Sequence, residues 1–290
     1  MPISVVNGVR IHHLQAGQGP DLVMIHGLAA DLSFWYLRIL PHLTSRWRVT
    51  LYDLRGHGLS EVPASGYTTA DFAEDLAALL DHLGIERPHL AGHSLGGAVA
   101  LHHAVLRPDR VRGLALFDCR VPALQPLPSA EESSFWRDRR EALRARGVDV
   151  TEETPKVLYS LLEEMADAEQ GRGKGNDAIA AGLPRRPGRR MARRWERHRH
   201  TTLAADLNRP VGLDAQAIGR VTHPALLSYG EVSRSLETCR ALEKCLPNHR
   251  TVIHPGLGHY FPAMRPEVAV EDLLRFLDEM EAPARDARQG

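Results

Sequence analysis

The chain has 290 residues, 43% hydrophobic and 25% charged, which is enough apolar material to bury a sizeable core. Its 36 basic and 36 acidic side chains cancel, so no global charge draws it to nucleic acid or to an acidic membrane surface. No apolar run reaches the roughly 18 residues of a membrane span, and MPISVVNGVRIHH lacks the basic-then-apolar pattern of a secretory leader.

Short strand-like runs alternate with helix-like ones along the chain. VVNGVRIHHL places Asn7-Gly8 between two alternating stretches, which predicts a β-hairpin. DLVMIHG (21–27) is a continuous apolar run stopped by Gly27, the pattern of a strand buried on both faces. WRVTLYD (47–53), PHLAGHS (88–94), VRGLALFD (111–118), PALLSYG (224–230) and RTVIHPG (250–256) read the same way. Between them, Phe72, Leu76, Leu79, Leu80 and Leu83 share one helical face, with Thr68 or Thr69 to cap the start and Gly84 to end it. GGAVALHHAVLRPDR and SLETCRALEKCLP are helices that stop at Pro108 and Pro247, and PEVAVEDLLRFLDEM starts on Pro266. Alternating strand and helix predicts an α/β protein with a mostly parallel, doubly wound sheet of about eight strands. No strand is expected between about Arg120 and Val221. The expected division is a core of 1–120 and 222–282, a helical insertion of 121–221 and a polar tail of 283–290.

The chemistry-bearing stretch is LAGHSLGGAV (90–99). Strand, then Gly92-His93-Ser94-Leu95-Gly96, then helix is the context of a G-x-S-x-G nucleophile elbow. The glycines allow a turn too tight for neighbouring side chains, and the serine Oγ projects above the sheet beside the first N–H groups of a helix. This sequence resembles the α/β-hydrolase fold superfamily over nearly its whole length. His26-Gly27-Leu28 is similar to the family's HG-x turn, YDLRGHGLSE (52–61) to its D-x-R-G-x-G-x-S loop, and Gly258-His259 to its late histidine. The resemblance implies Ser94 as nucleophile, His259 as general base and acid, and the backbone N–H groups of Leu28 and Leu95 as an oxyanion hole. It further implies that His26 braces the oxyanion loop and that the insertion forms a cap over the site. Among the 16 histidines, His254 is the reserve base, while His57, His102 and His103 are read as loop or packing residues.

The third triad member departs from the family pattern. Members commonly place it after the strand 224–230, as G-x-x-D, and this chain has Gly230-Glu231-Val232-Ser233 there. Ser233 stands at the expected Asp position and carries no charge. Asp118 ends the preceding strand, which should lie between the elbow strand and 224–230, and some branches of the family keep their acid there. Asp118 is the preferred acid and Glu231 the reserve.

The expected function is hydrolysis of a small-molecule carboxylic ester, thioester or lactone through an acyl-enzyme. C–C bond hydrolysis or acyl transfer by the same residues is an alternative, as is a non-catalytic ligand receptor on the same fold. Ser94 excludes the Asp-nucleophile chemistry of haloalkane dehalogenases and epoxide hydrolases. His93, Trp136 and Trp195 are candidate substrate contacts. In the basic run RRPGRRMARRWERHRH (185–200), arginines recur every four residues, and it is read as a solvated cap face or, more sharply, as an anion grip on the substrate. No metal or organic cofactor is implied, because no His/Cys or acidic group has ligand spacing. Cys119, Cys239 and Cys245 are scattered and read as reduced thiols of a cytoplasmic protein, a monomer or homodimer.

Overall fold

The computed structural model describes residues 2–126, 133–145, 147, 150, 197, 198 and 200–281. Eight strands form one sheet: β1 (Ile3–Val6), β2 (Val9–Ala16), β3 (Asp21–Ile25), β4 (Arg48–Tyr52), β5 (His89–His93), β6 (Gly113–Phe117), β7 (Ala225–Gly230) and β8 (His249–His254). Their order across the sheet is β1-β2-β4-β3-β5-β6-β7-β8. β1 and β2 are antiparallel to each other and β2 is antiparallel to β4, whereas every other neighbouring pair is parallel. The hairpin turn has φ of 48° at Asn7 and 74° at Gly8, the two positive values that match the twist of paired strands.

The parallel strands β3, β6 and β7 are buried on both faces because helices cover both. Val23 and Ile25 of β3 face the core packed by α2 (Thr69–His82) and α3 (Leu95–Leu106). Leu22 and Met24 face the opposite core, built with Trp35, Trp47 and Phe117. That second core is closed by Phe276 and Leu277 of α9 (Pro266–Glu281). Among the described residues the other helices are α1 (Ser33–Tyr36), α4 (Ser133–Ala145), α5 (Leu203–Asp206), α6 (Ala215–Ile218), α7 (Leu236–Cys245) and α8 (Phe261–Met264). Burial of each large apolar side chain contributes roughly 1.5–3 kcal/mol. Thr68 caps α2 through a reciprocal box with Asp71, and the chain leaves the helix through Gly84 at φ 65°.

Two features of this frame place the site. β6 lies between β5 and β7, pairing His93 with Phe117 and Phe117 with Ser228, so the residues following the three strands emerge side by side. The loop after β4 is anchored from below: Arg55 makes two charge-assisted bonds to Asp75 of α2, at 2.6 and 2.5 Å, and a third to Gly66 O at 2.8 Å. Among the described residues between Val121 and Val221 no strand forms.

Candidate active site

Ser94 sits between β5 and α3 with φ 53° and ψ −116°. A non-glycine residue held there costs of the order of 1–3 kcal/mol, and the packing around it enforces the strain. A Cβ on Gly96 would fall 2.2 Å from Ile25 O, and one on Gly92 2.3 Å from Gly96 O. Only glycine at both positions lets β3, β5 and α3 approach this closely.

His259 lies in the loop after β8. Its Nε2 is 3.0 Å from Ser94 Oγ, and its Nδ1 is 3.3 Å from Asp118 Oδ1. Asp118 is fully buried and has φ 46°, a conformation Asp tolerates better than most side chains. Its backbone N–H continues the β6–β7 ladder to Ser228 O at 2.9 Å, which fixes where the carboxylate emerges. Oδ2 accepts the Gly230 N–H at 2.9 Å, and Oδ1 accepts the Ser233 hydroxyl. A buried carboxylate is costly unless such donors replace water. Ser235 Oγ also stands 3.3 Å from His259 Nδ1, so two oxygens share that ring edge.

Glu231, the reserve acid, is turned away. Its carboxylate accepts the Gly256 N–H at 2.9 Å and braces the loop that carries His259. His254, the reserve base, bonds Asp272 Oδ2 at 2.8 Å and Ser228 Oγ at 3.2 Å. Its ring therefore serves a buried network between β7, β8 and α9.

His93, expected among the substrate contacts, is 2% exposed. It stacks on Phe34 with ring centroids 4.6 Å apart, and its Nε2–H donates to His259 O at 2.8 Å. Burial, and secondarily the nearby His259, hold its pKa well below the ordinary histidine value. A neutral ring 4.8 Å from His259 does not oppose a positive charge developing there. This is the geometry of a support for His259, not of a pocket wall. The place of His93 in the elbow, with the side chain turned away from that of Ser94, is compatible with either a structural or a pocket-lining role, and the sequence alone does not name its partners.

His26 Nδ1–H donates to Gly27 O at 2.8 Å while Nε2 accepts the Leu54 N–H at 3.1 Å, which ties the HG-x turn to the loop after β4. Gly27 lies against Ser94, since a Cβ there would be 3.1 Å from Ser94 Cβ. Leu95 opens α3, where the first N–H groups have no helical acceptor. Neither Leu95 nor Leu28 donates its N–H to a backbone carbonyl among the described residues. His57, His102 and His103 bond Arg55 O, Thr69 Oγ1 and Ala73 O. Trp195, the side chain of Trp136 and most of the basic run lie outside the described residues. Arg197, which is described, donates to Gly58 O at 3.1 Å. The three cysteines are free thiols, and burial pushes Cys119 and Cys239 upward, away from thiolate character. No helix among the described residues is long and apolar enough to cross a membrane.

A strained serine at a strand–helix junction, bonded to a histidine backed by a buried carboxylate, on a sheet of this order, defines an α/β-hydrolase site. The family's sequence model, the alpha/beta hydrolase fold, matches residues 20–263. The chain belongs to this family of enzymes. It is 30% identical over 264 residues to the dihydrolipoyllysine-residue acetyltransferase component of the acetoin cleaving system of Pseudomonas putida, covering 89% of this chain and 64% of that relative's length. It is 29% identical over 281 residues to the 2-(acetamidomethylene)succinate hydrolase of Mesorhizobium japonicum, covering 94% of this chain and 93% of the relative. The fold matches that of a thermophilic esterase from Thermogutta terrifontis with a TM-score of 0.71 at 24% identity, over 96% of this chain and 98% of the esterase.

Proposed function

We propose that the protein is a serine hydrolase that cleaves a carboxylic ester, thioester or lactone of a small molecule through an acyl-enzyme. The observation that carries this reading is the 3.0 Å contact between Ser94 Oγ and His259 Nε2, with Asp118 on the far side of the ring.

A serine hydroxyl is a weak nucleophile until a base takes its proton. With its Nδ1–H directed at Asp118, His259 has its lone pair on Nε2, facing Ser94. As Oγ attacks the carbonyl, the proton moves to Nε2, and Asp118 stabilises the imidazolium without itself being protonated. The carbonyl oxygen becomes an oxyanion held by the N–H groups of Leu28 and Leu95. His259 then protonates the leaving group, and Ser94 keeps the acyl group. A water, deprotonated by His259, attacks the acyl-enzyme and releases the acid. In this reading 121–221 is the cap that roofs the site and limits water.

The name of the Mesorhizobium relative, a hydrolase acting on an amide-bearing succinate, supports a small polar acid derivative as substrate. Acyl transfer or C–C hydrolysis would use the same three residues with a different acceptor or leaving group. The test is pre-steady-state hydrolysis of p-nitrophenyl acetate: a burst of p-nitrophenol stoichiometric with enzyme is expected, and it should vanish in Ser94→Ala. A burst that survives Ser94→Ala would assign the nucleophile elsewhere.

A further inference from the structure

Ser235 stands at the N-cap position of α7 and is 3% exposed. A serine there ordinarily turns its oxygen onto the first N–H groups of the helix. Here the side chain makes no cap bond. The hydroxyl faces His259 instead, with Oγ 3.3 Å from Nδ1. No other hydrogen-bond partner of that hydroxyl is found among the described residues, apart from His259.

The backbone around Ser235 holds its oxygen in place. Its N–H donates to Ser233 Oγ at 3.1 Å, and its carbonyl accepts the Cys239 N–H at 3.2 Å. Ser233 passes the link on by donating to Asp118 Oδ1, which stands 3.3 Å from the same His259 Nδ1. The contacts close a ring that runs from His259 through Asp118, Ser233 and Ser235 back to His259. An ionised carboxylate can only accept, so Nδ1 carries a proton. A hydroxyl can turn its own proton aside and present a lone pair to it. The Nδ1–H therefore has two acceptors at equal distance, a charged one after β6 and a neutral one at the start of α7.

Resting on the serine-hydrolase reading, we propose that Ser235 is a positioning residue for His259: its hydroxyl is the second acceptor of the Nδ1–H and stabilises the imidazolium that forms when Ser94 gives up its proton. The two acceptors come from different elements, so the ring cannot follow either one without stretching its bond to the other. Nε2 is thereby kept 3.0 Å from Ser94 Oγ. An acceptor bonds a charged N–H about twice as strongly as a neutral one. Ser235 thus lowers the transition state more than the ground state, which is the condition for raising kcat and not merely tightening binding.

The experiment is steady-state hydrolysis of p-nitrophenyl acetate across pH by wild type, Ser235→Ala and Ser235→Thr. Ser235→Ala is expected to lower kcat about threefold, with KM changed by less than about twofold. The acid limb of kcat/KM should move down by about half a pH unit, because an imidazolium that loses an acceptor gives up its proton more readily. Against His259 also stand Asp118, the ring of His93 at 4.8 Å and that of Tyr260 at 5.2 Å, with Glu231 spent on the Gly256 N–H. The substitution alters none of these groups. Ser235→Thr, which keeps the hydroxyl, should restore both kcat and the limb. The thermal midpoint of Ser235→Ala should hardly change, since no cap bond is lost. Ser235→Gly removes the same hydroxyl at a position where glycine is well accepted, and covers the case in which Ser235→Ala does not fold. An unmoved kcat and limb, or a loss of activity that follows the thermal midpoint and leaves the limb in place, overturns the role of Ser235 and leaves the serine-hydrolase reading standing. A wild type that hydrolyses no ester and takes no phosphonate label sinks both.

Discussion

Ser233 donates its hydroxyl to Asp118 Oδ1, so the residue standing where the family commonly keeps its acid instead serves a carboxylate one strand away. With the Gly230 N–H at 2.9 Å on Oδ2 and His259 Nδ1 at 3.3 Å, the buried charge has three donors around it. Asp118 and the end of β7 thus form one unit that fixes the tautomer and tilt of His259.

Removal of the charge gives the sharpest consequence. Asp118→Asn is expected to lower kcat by roughly 10³–10⁴, as loss of the acid does in Ser–His–Asp enzymes. Glu231→Gln, whose partner is the Gly256 N–H, should stay within about threefold of wild type. Steady-state kinetics on a p-nitrophenyl ester decides, and the reverse order of effects would move the acid to Glu231.

Ser233→Ala removes one donor from a buried carboxylate without removing the carboxylate. A fall in kcat of about tenfold is expected, with KM little changed, because the bond matters most when His259 is positively charged. Unchanged kcat would reduce Ser233 to a turn residue.

His93→Phe retains the stacking partner of Phe34 and deletes the bond to His259 O. Roughly a fivefold loss of kcat is expected with little change in thermal midpoint. A large loss of stability with normal kcat per folded molecule would show that His93 supports the core rather than the base.

Buried histidines predict acid lability. Burial holds His103 down to about 4 from an ordinary value of 6.5. Between those pH values the unfolded chain binds the proton and the folded chain does not, so stability is full above about pH 6.5 and is lost as pH falls toward 4. The whole window is worth up to roughly 3 kcal/mol. His13, His89 and His102 are lowered by burial too and act in the same direction. The thermal midpoint should therefore drop steeply below pH 6.5, and His103→Leu should flatten the slope. A midpoint that rises on acidification would contradict the burial of these rings in the neutral form.

The frame of this site was open to reading in the sequence because it rests on local signals. Asn7-Gly8 fixes a hairpin, continuous apolar runs mark strands covered on both faces, and the glycines around Ser94 announce a turn that no other residue fits. Strand boundaries fall within two residues of those expected, and β6 lies where the doubly wound order puts it. What stayed closed depends on pairs distant in sequence. The Ser233–Asp118 bond spans 115 positions and the His12–Asp53 pair 41, and neither hydroxyl nor imidazole carries a local pattern that names its partner. His93 was left between a structural and a pocket-lining role for a related reason: its burial is set by Phe34 and Tyr260, which are distant from it in sequence. Asp118 and Glu231 remained rivals because each is an acidic residue at a strand end, and only the third dimension turns one toward His259.

The most direct test of the account is intact mass after exposure to a fluorophosphonate. Wild type should gain one adduct on Ser94, Ser94→Ala none, and Asp118→Asn should label far more slowly than wild type. A wild type that takes no adduct, or a Ser94→Ala protein that takes one as readily as wild type, would contradict it.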